Sequence, residues 1–248
     1  MKIMPKGFFI TGTDTGVGKT IVTGALVKSA QFLGFMTVGM KPVETGCTKT
    51  EGSGQDREFR NDSLIPSDGK FLREISGTEA SLDLITPVRF ENPLAPMPAS
   101  EIEGIPVDIR KITDAFVTLS QKYDVFIIEG VGGILVPITE GYSVIDMARD
   151  FGLPVIVVAR PGLGTINHTL LTVHYALKEG LSIAGVIINY TQPAEGTIAE
   201  QTNPPVLEKI CPVPVLGIFP YLNNMDSRAI ENAALTNLNL EMIKKYLY

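Results

Sequence analysis

The sequence has few of the features that mark a membrane, secreted or disulfide-bonded protein. Only two of its 248 residues are cysteine, and Cys47 and Cys211 lack the spacing of a metal site or a disulfide framework. Apolar runs reach roughly eight residues, which is too short to cross a bilayer. The N-terminus has no long apolar stretch of the kind found in signal peptides. These absences predict a protein of the cytoplasm without a membrane partner.

Basic residues are also scarce. Lysine and arginine number 21 against 27 aspartate and glutamate, which gives a net charge of −6. Proteins that bind nucleic acids usually carry a basic run or face, so we expect no nucleic-acid partner. Because 44% of the residues are hydrophobic, the chain can bury one substantial core, and we expect a single domain over residues 1–248.

A glycine-rich segment lies between a predicted strand and a predicted helix near the start of the chain. It reads Gly7-Phe-Phe-Ile-Thr-Gly-Thr-Asp-Thr-Gly-Val-Gly-Lys-Thr20. Glycines let backbone amides turn toward an anion, and the N-terminus of the helix adds partial positive charge. The segment therefore predicts a phosphate-binding loop, in which Lys19 reaches the β- and γ-phosphates and Thr20 binds Mg²⁺.

The spacing of this loop differs by one residue from the usual pattern. Thr13 stands where the first glycine is expected, and Gly12 lies one residue earlier. The alternative is a glycine-rich turn with an incidental Gly-Lys-Thr. The order of strand, loop and helix favours the phosphate site.

Two charged residues stand at the ends of predicted strands. Lys41 ends a strand predicted over 35–41, because Pro42 stops strand pairing, and Glu129 ends an apolar strand predicted over 124–129. Ligands of open parallel sheets bind at this edge, and a carboxylate there suits Mg²⁺. The alternative for both side chains is ordinary solvent exposure.

Asp68 has two equal interpretations. It lies near the start of a helix predicted from 67, where an acid caps the helix or interacts with its dipole. The same carboxylate could instead bind a metal ion. The residues alone leave both alternatives open.

The rest of the chain alternates predicted strands and helices. Further strands are predicted at 87–90, 153–159, 182–189 and 213–218, and helices at 21–32, 108–122, 164–180, 198–210 (interrupted by Pro204-Pro205) and 235–248. Residues 47–67 are predicted to form a surface loop, and 91–100, with three prolines, an extended loop. This alternation predicts an α/β fold: a doubly wound, mostly parallel sheet with helices on both faces, of the P-loop NTPase type.

Four segments together resemble the dethiobiotin synthetase family. They are Thr11-Gly-Thr-Asp-Thr-Gly-Val-Gly-Lys-Thr20, Lys41-Pro-Val-Glu-Thr-Gly46, Ile128-Glu-Gly-Val-Gly-Gly133 and Leu163-Gly-Thr-Ile-Asn-His168, in the order of the family. The resemblance implies ATP-dependent carboxylation and ring closure of 7,8-diaminononanoate with CO₂. The products are dethiobiotin, ADP and phosphate, and the intermediates are a carbamate and a carbamic-phosphoric anhydride.

The resemblance also implies roles for particular residues. Lys19 and Lys41 would be catalytic, and Mg²⁺ would be held by Thr20, Asp68 and Glu129. The residues implied at the nucleotide and its metal are Thr13, Gly16, Val17, Gly18, Lys19, Thr20, Ile21, Asp68, Glu129, Gly130, Val131, Gly132, Asn189, Pro220, Tyr221 and Leu222. Those implied at the diamine are Thr45, Leu163, Gly164 and Asn167, of which the last three come from the second subunit of a homodimer. Some family members carry glutamate where this chain has Gly16.

Two other classes of protein fit parts of the pattern. Partitioning ATPases change state when they bind a nucleotide. They carry a second lysine five residues before the Gly-Lys-Thr lysine, and here that residue is Asp14. They also often bear a basic or amphipathic patch, which this sequence lacks. Amide-forming synthetases of cobalamin synthesis usually carry a glutamine-hydrolysing domain, for which 248 residues leave no room.

Overall fold

The computed structural model describes residues 6–49 and 63–248, where strands and helices alternate as predicted. The strands are β1 (Lys6–Gly12), β2 (Thr37–Met40), β3 (Val43–Thr45), β4 (Thr48–Lys49), β5 (Leu64–Ile65), β6 (Val88–Phe90), β7 (Val125–Gly133), β8 (Pro137–Thr139), β9 (Tyr142–Ser143), β10 (Val155–Ala159), β11 (Ile183–Asn189) and β12 (Val215–Phe219). The helices are α1 (Lys19–Phe32), α2 (Ser67–Ser76), α3 (Leu82–Ile85), α4 (Pro96–Glu103), α5 (Ile109–Leu119), α6 (Val144–Phe151), α7 (Thr165–Lys178), α8 (Ile198–Ile210), α9 (Ser227–Asn237) and α10 (Leu240–Lys244).

The main sheet of the described residues has six strands in the order β12-β11-β10-β1-β7-β2. Every neighbouring pair in it is parallel, which confirms the predicted α/β class. β1 lies between β10 and β7, and Ile10 stands opposite Glu129 in the register. Because parallel strands end at the same edge, the loop after β1 and the acidic residue of β7 meet there.

The central strands of the sheet consist mainly of apolar residues that are buried on both faces of the sheet. Every residue of β10 is fully buried, as is the run from Val125 to Ile128 in β7. Successive side chains of a strand point to opposite faces, so full burial means that both faces of the sheet are covered. Removing each of these side chains from water contributes about 1.5–3 kcal/mol.

The prediction of an extended loop over 91–100 is wrong in its second half. The helix α4 begins at Pro96 and continues to Glu103. Pro96 and Pro98 both lie in its first turn, where backbone amides have no partner within the helix. A proline there removes no hydrogen bond and its fixed φ suits the helix.

Two helix predictions in the C-terminal part of the chain are corrected. α8 runs through Pro204-Pro205 without the predicted interruption, and Asn203 there anchors the helix by donating to the carbonyl oxygens of Pro161 and Gly162. Instead of one helix over 235–248, the chain forms α9, which ends at Asn237, and then α10. They are separate because Leu238 is extended and bridges to Gly217.

The predicted surface loop over 47–67 falls largely on residues 50–62, which lie outside the described residues. Its two described ends form the antiparallel pair β4–β5, and α2 begins at Ser67 as predicted. In the described part of the chain, no helix is both long enough and apolar enough to span a membrane.

Candidate active site

The glycine-rich loop joins β1, which ends at Gly12, to α1, which begins at Lys19. Gly18 has a φ of 82°, a left-handed conformation that favours glycine. The side chain of Asn189, at the end of β11, donates from Nδ2 to the carbonyl oxygen of Val17 at 2.8 Å. The loop is thus held by β1 at one end, by α1 at the other, and between them by a buried amide.

Lys19 lies almost buried at the start of α1. Its Nζ donates to the carbonyl oxygen of Asp14 at 3.3 Å. Burial, and secondly the positive charge of Lys41, lowers the pKa of Lys19 to about 8. Two neighbouring ammonium groups at a helix N-terminus form a site suited to an anion.

Lys41 binds two carboxylates at the same edge of the sheet. Its Nζ lies 2.5 Å from Oε1 of Glu129 and 2.9 Å from Oδ2 of Asp68. Burial disfavours the charged form of Lys41, but the charges of Glu129 and Asp68 together outweigh it and raise the pKa of Lys41 above its usual value. Lys41 is therefore a permanent cation in the site.

Glu129 and Thr20 provide oxygens that fit a magnesium ion. The Thr20 hydroxyl donates to Oε1 of Glu129 at 3.0 Å, so the two groups are in contact. Oε2 of Glu129 is buried and has no hydrogen-bond partner among residues 6–49 and 63–248. Mg²⁺ is usually held by one or two carboxylates together with substrate phosphates and water. These residues therefore fit the ion.

The described residues contain no group of three or more histidine, cysteine, aspartate or glutamate side chains that could hold a metal ion. A site built from Thr20, Asp68 and Glu129 would need further oxygens, which the phosphate groups of a nucleotide would supply.

These side chains surround one cavity of about 310 Å³ at the carboxyl edge of the sheet. The cavity is lined by both lysines and all three predicted metal ligands. The other residues of the sequence prediction in its wall are Gly16, Gly18, Thr45, Val131 and Gly132.

The remaining predicted residues lie outside that wall. Val17 is buried, Ile21 packs against the core, and Gly130 lies against the ring of Phe9. The segment 220–222 follows directly after β12, the strand next to β11. Thr13 lines a neighbouring cavity of about 600 Å³.

Leu163, Gly164 and Asn167 lie at the exposed start of α7 and do not reach the cavity of their own chain. Leu163 is 92% exposed, and Gly164, with a φ of 92°, precedes the first helical residue. Within one chain, the structure does not bring these three residues together with the two lysines.

One acidic residue of the site was not predicted from the sequence. Glu44 lines the cavity with both carboxylate oxygens bound to the start of α2. Glu44 lies inside the motif that begins at Lys41, but an isolated acid between two strand residues carries no periodic signal that would mark it.

The close approach of the loop to Gly12 predicts that Gly12→Ala weakens nucleotide binding. A Cβ atom on Gly12 would lie 2.8 Å from the Asp14 carbonyl oxygen and 2.8 Å from Cγ2 of Val17, so the loop must shift. We expect at least about a tenfold loss of affinity for a non-hydrolysable ATP analogue in calorimetric titration.

Gly133→Ala is the matched control. Gly133 stands opposite Gly12 in the register, but its Cβ would meet Gly12 at an ordinary 3.4 Å. Equal affinities of the two variants would contradict the role assigned to the close approach at Gly12.

Many known proteins are similar in sequence to this chain. A family model described as an AAA domain matches residues 6–229. The ATP-dependent dethiobiotin synthetase BioD of Thermodesulfovibrio yellowstonii is 48% identical over 247 residues, which cover 97% of this chain and 99% of that protein. The protein of the same name from Bacillus subtilis is 38% identical over 240 residues, which cover 96% and 97%.

Solved structures show the same fold at much lower identity. A ParA family ATPase from Chlorobium tepidum superimposes with a TM-score of 0.50 at 12% identity and covers 98% of this chain and 96% of its own. That likeness concerns the fold alone. The sequence relatives cover nearly the whole chain at far higher identity, and the chain belongs to the ATP-dependent dethiobiotin synthetase family.

Proposed function

We propose that this protein uses ATP to carboxylate 7,8-diaminononanoate with CO₂ and to close the ring of dethiobiotin. The observation that carries the proposal is the convergence of Lys19, Lys41 and Glu129 on one cavity at the carboxyl edge of the sheet. Family membership, at up to 48% identity over 97% of the chain, supports the same activity.

The chemistry requires positive charge between two anions. One amine of the substrate attacks CO₂, forms a C–N bond and loses a proton, which gives a carbamate. A carbamate oxygen then attacks the γ-phosphorus and displaces ADP. The second amine attacks the carbonyl carbon of the mixed anhydride and releases phosphate as the ring closes. The ammonium groups of Lys19 and Lys41 would hold the carbamate and the triphosphate together despite their like charge.

The metal site proposed here consists of Thr20, Asp68 and Glu129. When bound, Mg²⁺ supplies charge neutralisation at the β- and γ-phosphate oxygens. The protein's own part is to hold the carboxylates in place, and Lys41 does so by contacting both of them.

A buried acceptor supports adenine as the base. Nδ2 of Asn189 donates to the carbonyl oxygen of Val17 in the loop, and Oδ1 of Asn189 is buried with no partner within the described ranges. The amino group of adenine is a donor that would satisfy this oxygen. The segment 220–222 follows the strand beside Asn189 and would frame the ring.

A homodimer would complete the substrate site. Leu135 and Leu171 are 58% and 62% exposed and line the 600 Å³ cavity next to the phosphate-binding loop. Exposed leucines beside a cavity suit a second copy of the chain. The start of α7 from that copy, with Leu163, Gly164 and Asn167, would then offer backbone amides to the carboxylate of the diamine.

Location in the cytoplasm is part of the same proposal. Cys47 and Cys211 carry free thiols. Burial raises the pKa of both, that of Cys47 to about 12, which keeps them unreactive. Free thiols fit a reducing compartment.

A direct assay tests the function. Purified protein supplied with diamine, bicarbonate, Mg²⁺ and ATP should form the cyclic urea with one ADP per turnover, measured by mass spectrometry. ADP release without any cyclic urea at millimolar diamine would instead point to a nucleotide-switched ATPase and would reject the proposal.

Lys41→Gln should separate binding from turnover. We expect kcat to fall at least about 100-fold, because the variant lacks a charge that acts on the transferred phosphoryl group. The affinity for an ATP analogue measured without a divalent ion should change less than about threefold, since Lys19 and the loop remain. Lys28→Gln, which removes the ion-pair partner of Glu231 on α9, away from the cavity, is the control. Wild-type turnover by Lys41→Gln would disprove the role.

Leu171→Arg should dissociate the proposed dimer. Sedimentation velocity should show a monomer, and the KM for the diamine should rise at least about tenfold while nucleotide affinity is kept, because a buried unpaired charge at an interface costs several kcal/mol. Leu177→Arg changes an exposed leucine of the same helix outside the cavity and should stay dimeric. A monomeric wild type would contradict the shared site.

A further inference from the structure

Glu44 is a buried acid whose position has no explanation in the chemistry described so far. Its side chain is only 3% exposed, although it lines the cavity of the active site. Oε1 accepts from the backbone amide of Asp68 and Oε2 from that of Gly69, each at 2.9 Å. The hydroxyl of Ser67 also donates to Oε1, at 3.2 Å.

These contacts replace the local cap that α2 lacks. Pro66 occupies the N-cap position and has no side-chain oxygen, and no cap hydrogen bond is made there. Asp68 and Gly69 are the second and third residues of the helix, whose amides an N-cap side chain normally binds. Glu44 binds them from 24 and 25 residues away, and its negative charge faces the positive end of the helix.

The segment that carries Glu44 therefore contacts Asp68 twice. Glu44 binds the backbone amide of Asp68, and Lys41, three residues earlier, binds its carboxylate at 2.9 Å. Gly69 adds a steric limit, because a Cβ atom there would lie 2.1 Å from Oγ1 of Thr86. The first turn of α2 is thereby held in one place relative to Lys41.

We propose that Glu44 is the positioning residue of the metal site, which sets the first turn of α2 so that Asp68 meets Lys41 and the bound cation. This inference rests on the proposed Mg²⁺-dependent function. A side chain needed only to cap α2 could equally well belong to the N-cap residue itself. Placing it on Glu44 instead couples the position of Asp68 to the strand end that carries Lys41.

Glu44→Gln keeps the shape and loses the charge and one acceptor. We expect the Mn²⁺ concentration that half-saturates the protein in the presence of ADP, measured by electron paramagnetic resonance, to rise about tenfold. Asp108→Ala is the matched control, because it also deletes a helix cap, on the amide of Lys111. It should lower the melting temperature but leave Mn²⁺ affinity unchanged.

A second variant tests whether Glu44 is more than a helix cap. Pro66→Ser places a local cap at the N-cap position but does not restore the link to the strand end that carries Lys41, so Glu44→Gln combined with Pro66→Ser should regain melting temperature while its Mn²⁺ affinity stays about tenfold weaker than wild type. Affinity of Glu44→Gln equal to that of Asp108→Ala, or recovery of Mn²⁺ affinity in the double variant to within about threefold of wild type, would overturn the proposal. So would failure of both Glu44 variants to fold, since Glu44 would then serve the fold itself.

Failure of this inference is distinguishable from failure of the proposed function. The Mn²⁺ titration needs no turnover, so it reports on Glu44 even if wild-type protein forms no cyclic urea. Conversely, a wild type that forms dethiobiotin while Glu44→Gln binds Mn²⁺ normally would keep the function and reject the role of Glu44.

Discussion

The buried ion pair between Lys41 and Glu129 is the constraint on which the rest of the site depends. Two charges removed from water are stable only in close contact and with further hydrogen bonds, and the sheet supplies that contact. β2 and β7 are parallel neighbours with Met40 opposite Ile128, so the next residue of each strand brings an ammonium and a carboxylate side by side. Register therefore determines the electrostatics of the cavity.

The meeting of Lys41 and Glu129 could be expected from the sequence itself, whereas Asp68 was implied only by the family resemblance. Strand ends share one edge of a parallel sheet. The strand predicted to end at Glu129 continues to Gly133, yet Glu129 still lies beside Lys41. The position of Asp68 depends on Glu44, 24 residues away, and no local pattern records such a contact. Asp68 lies in the first turn of α2, as the first of its two interpretations expects, and it also contacts Lys41; its binding of a metal ion stays a prediction.

Two of the errors in the fold prediction share a physical origin. Proline was taken as a helix breaker, but Pro96 and Pro98 lie in a first turn that has no amide bonds to lose. The Pro204-Pro205 pair is tolerated where tertiary contacts fix the helix, through Asn203. By contrast α6, which was not predicted, had a readable start, because Ser143 donates to Asp146 three residues later in a typical capping pattern.

Fold alone does not separate this chain from partitioning ATPases, since the ParA likeness at 12% identity concerns architecture only. The loop does separate them. Where those proteins carry a second lysine, this chain has Asp14. The carboxylate of Asp14 is paired with Arg160, and its backbone oxygen accepts a hydrogen bond from Nζ of Lys19. The second ammonium of the cavity is instead Lys41, supplied by a neighbouring strand of the same chain. Both cations of the cavity thus belong to one chain, and the phosphoryl transfer proposed here needs no lysine from a second subunit.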